Sequence, residues 1–369
     1  MANASVATSI KRDESYYYAS QGQLIWRRLK KHKLAMASGV ILILLYMIAI
    51  FSDFFIPYDP VAKNTGFLNA PPQAVQLFSK DGFEPHVIGF SKERDKKTLA
   101  INFVPDPKQL VPLRFLSPGY PYKLLGLIDT NVHLFTVEEG TVFLFGTDAL
   151  GRDIYSRTIS ALRISLFIGL IGVALSFLLG VTLGGISGYF GGRIDFVIQR
   201  VIELILSLPT IPLWLALSAA LPPQWSSTQI FFGITIILSL IVWCGIARVV
   251  RGKFLELREQ DFIAAAVVSG ASSFRVIFKH LVPSFSSYLI VQLTLLIPGV
   301  ILGEVALSFL GLGIQAPAVS LGTLLQDINN IRAVSIYPWM MIPALFVVGI
   351  VLAFNFFGDG IRDAADPYK

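Results

Sequence analysis

Six stretches of this chain run for roughly 20 residues or more with almost no charged side chain. Such runs cannot be solvated, and in a hydrocarbon phase their backbone groups must be satisfied internally, as helix. Spans are expected at 34–56, 160–187, 195–221, 228–250, 285–312 and 339–357. The first has 23 residues. At 1.5 Å per residue it reaches about 34 Å, enough to cross a core of about 30 Å. Only 15% of the 369 residues are charged, where a soluble domain carries roughly 25%. The first run lacks a small-residue cleavage site and reads as a retained anchor.

The remaining charges orient the spans. Residues 1–33 end in the basic run WRRLKKHK, and Arg193, Arg248 and Arg251 stand at further span ends. The outer loop at 313–338 carries only one basic residue, Arg332. This asymmetry places both termini and the polar hairpin 253–284 in the cytoplasm. The net charge of +6 therefore belongs to span flanks and is no nucleic-acid signature. The single cysteine, Cys244, permits no internal disulfide, and His32, His86, His133 and His280 lack metal-ligand spacing.

Residues 57–143 break the pattern. Short alternating pieces (TLAINF, PLRFL, YKLLGL, VHLFTV and TVFLF) are separated by the turn signals SPGYP, DTN and EEG. They predict short strands in a small lobe outside the membrane.

Within the spans, Gly180, Gly184, Gly185 and Gly188 permit close helix approach. Pro209 and Pro212 bend the third span. Glu304 is the main ionisable residue deep in a span. It reads either as a pathway or gate residue, with Gln292 as a second candidate, or as a hydrogen-bond partner of a neighbouring helix. Arg200 and Glu203, three apart on a helix, read as a structural pair.

The hairpin 253–284 reads as two helices. Phe262 to Val268 form the first, and Gly270 ends it in a left-handed turn. Ser272 or Ser273 caps the second, and Pro283 stops it. An alanine face two turns long grips lipid poorly and suits a fitted groove in another protein.

The pattern Ala265-Ala266-x3-Gly270-x9-His280-x-Val282-Pro283 resembles the EAA loop of ABC importer permeases. FGTDALGRDIYSR, ALRISLFIG, GYFGGRID, ALSFLGLGIQAP and LAFNFFGDGIRDAADP follow in family order. They resemble the peptide/nickel-type permeases, and more narrowly the C subunits of dipeptide/oligopeptide permeases. The resemblance implies an all-α integral membrane protein of six transmembrane helices, a type I ABC importer permease fold. The core would be 144–369, with 57–143 a β-rich extracytoplasmic insertion. Asp261, Phe262, Ala264, Ala265, Ala266, Gly270, Ala271, Ser273, Arg275 and Pro283 would then couple to an ATPase. Ala264 stands where the family carries its first acidic residue, so that contact is lost or passes to Asp261 or Glu259. Asp148, Gly151, Arg152 and Asp153 would either cap and position the second span, through Asp148 or Asp153, or help an external binding protein dock.

The implied partners are a homologous, non-identical second permease, two ATP-binding subunits, a solute-binding protein and the bilayer of a bacterial inner membrane. No G-x-x-x-x-G-K-[ST] phosphate loop is present. ATP and Mg are accordingly expected on partner subunits, with no cofactor, no catalysis and no nucleic acid on this chain. Di- or oligopeptides are the implied cargo, while sister systems carry nickel chelates, opines or oligosaccharides. A channel or secondary transporter would need charged residues at midplane in several helices. An intramembrane enzyme would need a nucleophile–base or metal constellation. The sequence shows neither.

Overall fold

The computed structural model describes residues 21–79, 82–94, 101–329 and 335–365. Arg332, the segment 1–20 and the last four residues lie outside the described residues. The helices are α1 (Gln21–Leu29), α2 (Lys33–Ile50), α3 (Ser52–Phe55), α4 (Ile154–Phe190), α5 (Gly192–Ser207) and α6 (Thr210–Ala219), then α7 (Ser227–Leu257), α8 (Asp261–Val268), α9 (Ser286–Phe309), α10 (Leu321–Gln326) and α11 (Ile342–Ala365). Five helical segments are long and apolar enough to cross a membrane, and the bent pair α5–α6 makes a sixth if counted as one span. The core gathers side chains of α2, α4, α7, α9 and α11, among them Leu162, Leu166, Leu238, Ile301 and Ile350.

The glycines of α4 set its closest contact. A Cβ on Gly184 would lie 2.5 Å from the Ala247 carbonyl oxygen of α7. Only a hydrogen at that position lets the two backbones approach so closely. A Cβ on Gly188 would meet Phe254 Cβ at 2.7 Å. Helix α4 starts at Ile154, ahead of the 160 expected, because Asp153 caps it there. Helix α11 continues past 357 to Ala365, where Ile361 and Ala364 pack with Leu29 of α1.

The third span, expected over 195–221 with a bend at its prolines, is broken at Pro209 into two helices that meet at 89°. Pro209 forces Leu208 into extended backbone (φ −87°, ψ 138°) and is itself extended. Pro212 sits in the first turn of α6, where a missing N–H leaves no bond unmade. The prolines therefore start a new helix instead of bending an old one.

The lobe is β-rich, as expected. Strands β1 (Val75–Ser79), β2 (Gly82–Arg94) and β3 (Ile101–Pro112) form one antiparallel sheet, and β4 (Arg114–Leu124) pairs with β5 (Ile128–Thr136) in a hairpin. The expected strand TVFLF is irregular. The Val142 N–H donates to Tyr58 Oη at 2.9 Å and the Phe143 N–H to Gln73 Oε1 at 2.6 Å, so side chains replace a neighbouring strand. The YKLLGL piece is the end of β4 and its turn. The lobe is seated firmly on the helices. Phe135 and Val142 pack with Tyr155 of α4, and His133 hydrogen-bonds the Asp53 carbonyl at 2.8 Å through Nδ1.

Candidate functional site

The hairpin 253–284 rises directly from α7. Beyond Arg258, α8 begins at Asp261 and ends in two paired backbone bonds: Gly270 N–H to Val267 O (2.9 Å) and Ala271 N–H to Ala266 O (3.0 Å). That pattern requires a left-handed residue after the helix, and Gly270 supplies it at φ +81°. Ser272, of the two serines considered, is the cap of the next helix; its Oγ accepts from Arg275 N–H.

Pro283 does not stop that helix, as the sequence predicted. The chain stays helical over 273–284, through a π-turn at Val276–Leu281 in which Val282 N–H reaches back to Ile277 O. The widened turn leaves room for a residue that has no N–H and whose ring would otherwise strike the carbonyl of the preceding turn.

Each hairpin residue has a distinct surface. Ile263 is 2% exposed and packs with Val276, Ile277 and Leu281 against Phe254 and Phe285. This pins α8 to the spans. On the other side Phe262, Ala264, Ala265, Val267 and Val268 face outward, with Val268 88% exposed and Phe274 beyond the turn 71% exposed. Asp261 and Arg275 are exposed at either end, Ala266, Ala271 and Ser273 are half-buried, and Pro283 is exposed. The result is an exposed apolar surface on a support that is buried beneath it.

A second device stiffens this end. Arg251 of α7 forks onto Asp195 of α5, Nε to Oδ1 at 2.5 Å and Nη2 to Oδ2 at 2.6 Å. Ser187 of α4 donates to the same carboxylate at 2.5 Å. A two-pronged charge pair thus ties α5 to α7, and the Ser187 hydroxyl adds α4 to the same carboxylate. Sequence reading missed it because its members lie 56 residues apart. The signal available was an acid and an arginine at neighbouring inner span ends.

Glu304, the expected pathway or gate candidate, is fully buried within this chain. It accepts hydrogen bonds from Ser308 Oγ (2.6 Å) and from Ser165 Oγ of α4 (2.9 Å). Ser165 in turn accepts from Leu321 N–H of α10 at 3.1 Å. The carboxylate therefore braces α9 against α4 and the outer loop, the neighbouring-helix alternative weighed from sequence. Gln292 is half-buried and donates to Tyr288 Oη at 2.9 Å. It lines a groove of about 650 Å³ between α1, α9 and α11, away from Glu304. Arg200 and Glu203 pair at 2.7 Å on an exposed face.

At the start of α4 the four candidates Asp148, Gly151, Arg152 and Asp153 divide the work. Asp153 caps α4, accepting from Ser156 N–H (2.8 Å) and Oγ (2.6 Å). Burial, the largest influence, pushes its carboxyl from 3.8 up to about 7. Asp148 instead accepts from Leu150 and Arg152 N–H and pairs with the Arg152 and Arg157 guanidinium groups. Both arginines also reach Asp327, at 3.1 and 3.0 Å. Arg157 and Asp327 were not singled out from sequence; an arginine at the start of an apolar helix was the available clue. Gly151, at φ +75°, lies so close to Asn64 that a Cβ would stand 2.1 Å from its carbonyl oxygen. The described residues hold no cluster of three or more metal-ligating side chains.

The profile of the family described as "Binding-protein-dependent transport system inner membrane component" matches residues 180–368, and that of the "N-terminal TM domain of oligopeptide transport permease C" matches residues 20–72. The dipeptide transport system permease protein DppC of Bacillus subtilis is 34% identical over 98% of this chain and 89% of its own length. The oligopeptide transport system permease protein OppC of Bacillus subtilis is 40% identical over 60% of this chain and 71% of its own. Among solved structures, the inward-facing MetNI methionine ABC transporter aligns at a TM-score of 0.46 and 18% identity, covering 58% of this chain and 98% of that one.

Proposed function

This chain belongs to the binding-protein-dependent transport system inner membrane components, among the dipeptide and oligopeptide permeases, and we propose that it is one half of the membrane pathway of an ATP-driven peptide importer. Helix α8 is its coupling element. The single observation that carries this is the apolar surface of Phe262, Val267, Val268 and Phe274, exposed on a hairpin whose other side is buried against the spans. Burying side chains of this size in a groove yields about 1.5–3 kcal/mol each at full burial. Because Ile263 and the Arg251–Asp195 fork hold the hairpin to three helices, a push on α8 reaches α4, α5 and α7 as one body.

The ATP-binding subunits supply ATP and Mg, a homologous second permease completes the pathway, and a solute-binding protein delivers the peptide to the outer end beside Asp148 and Arg152. The termini and α8 face the cytoplasm of a bacterium whose inner membrane the chain spans. The direct test is co-purification of the ATP-binding subunit with the permease after residues 260–275 are scrambled. Capture should be lost while the permease stays in the membrane. Unchanged capture refutes the docking role.

A further inference from the structure

We propose that the β4–β5 hairpin is a membrane anchor whose tip, residues 124–128, enters the outer leaflet of the bilayer beside the first two spans. The tip reads Leu-Leu-Gly-Leu-Ile between Lys123 and Asp129. Gly126 N–H bonds Lys123 O at 3.1 Å and Leu127 N–H bonds Leu124 O at 3.0 Å, so the turn is built on Leu125 and Gly126. Both have positive φ, +53° and +73°. Turns of this kind ordinarily take Asn-Gly, because a polar side chain tolerates the left-handed region and hydrogen-bonds locally. Leucine is disfavoured there, and Leu125 remains more than half exposed. Leu125, Leu127 and Ile128 are exposed, Leu127 by 84%.

The position of the tip decides what covers it. A depression of about 230 Å³ has Ile50, Arg163 and Phe167 on one wall and Lys123, Leu125 and Gly126 on the other. Ile50 is the last residue of α2. Phe167 stands 23 residues before the end of α4 at Phe190, about 35 Å along the axis. Both residues therefore mark the outer edge of a hydrocarbon core of about 30 Å. The tip hangs at that level instead of projecting with the lobe into water. It continues the side of α2 on which the apolar residues Ile43, Leu44 and Met47 are exposed.

The hairpin is ordered by depth as an interfacial element should be. Behind the apolar tip comes the Lys123–Asp129 pair at 3.8 Å. Behind that, Tyr120 and Tyr122 lie 4.5 and 4.9 Å from the His133 ring, at the level where tyrosines favour the headgroups. His133 fixes the whole strut. Its ring lies between two carbonyls, with Nδ1 2.8 Å from the Asp53 oxygen and Nε2 2.9 Å from the Tyr120 oxygen, while Arg163 of α4 pairs with the Asp53 carboxylate at 2.5 Å. A rigid strut with an apolar end beside a span is an interfacial anchor.

The test uses the assembled transporter in lipid vesicles, with Cys244→Ala as background and an environment-sensitive fluorophore on Leu127→Cys. A control label sits on Leu150→Cys, beyond the start of α4 and about 20 Å further out along its axis. Nitroxide-bearing phospholipids should quench the label at 127 and leave that at 150 bright. Aqueous iodide should quench 127 several-fold less than 150. Equal iodide quenching with no lipid quenching overturns the proposal. So does shielding that develops only when the solute-binding protein is added, since the occupant would then be protein. Leu125→Asn with Leu127→Ser suits the turn and preserves folding; a label at Ile128→Cys in that variant should move from lipid to water, and a label still quenched by lipid refutes the role of the leucines.

Discussion

Gly270 offers the sharpest test of α8 as the coupling element. An added Cβ at this position meets no atom within 4 Å, so a substitution costs only its backbone conformation. At φ +81° an alanine bears about 1–2 kcal/mol. Asparagine bears less because it populates this region, and β-branched valine bears more. Opposing that cost are the buried contacts of Ile263, Val276, Ile277 and Leu281, each worth about 1.5–3 kcal/mol when fully buried. The hairpin should therefore remain seated while the end of α8, with exposed Val267 and Val268, loses its aim. Because every 1.4 kcal/mol or so is tenfold, Gly270→Ala should lower uptake of a labelled dipeptide in vesicles roughly tenfold. Gly270→Asn should fall within about threefold of wild type by the same arithmetic, and Gly270→Val should abolish uptake. Membrane levels should not change. A valine variant with wild-type uptake at wild-type abundance would refute the reasoning, because the turn would then be dispensable.

Gly184→Val should cost about 1–3 kcal/mol or more and lower the thermal stability of the purified permease, because the new Cβ meets the Ala247 backbone, which cannot step aside. Glu304→Leu should destabilise by about 1–3 kcal/mol by leaving the Ser165 and Ser308 hydroxyls buried without their acceptor, whereas Glu304→Gln retains an acceptor and should cost less; thermal shift in detergent separates the two. Asp153 makes stability fall with pH. Its carboxyl is raised from 3.8 to about 7 in the folded protein, so its contribution is fully present below about 4 and is lost as pH rises through about 7. Asp153→Asn keeps a capping oxygen and should flatten that dependence in a melting series across the same range; an unchanged slope would assign it to other groups.

Much of the architecture was legible because a membrane leaves few options. An uncharged run of some 20 residues must be helix, because its backbone groups have no other partner in hydrocarbon. The Gly270 turn and the serine cap beside it were legible for a similar reason: each satisfies a local backbone requirement that only a few residue types meet. Prolines were read less well. Pro209 was expected to bend a span and breaks it into two helices at 89°, while Pro283 was expected to end a helix that, after a π-turn, runs one residue past it to Ser284. A proline removes one donor and restricts one neighbour. Whether the chain then kinks, restarts or widens depends on what packs beside it.

The chain's spans, its polar hairpin and the close approach of α4 to another helix follow from sequence alone, because each depends on what a residue or its near neighbours cannot do. Only the tertiary structure decided which charges meet. The Arg251–Asp195 fork and the joining of Asp148, Arg152 and Arg157 with Asp327 bridge up to 175 residues, and no local rule links such partners. It likewise moved Glu304 from a pathway candidate to a brace within one subunit. A carboxylate in a span advertises that it must have partners; only the packed helices show that those partners are Ser165 and Ser308 and that they enclose it.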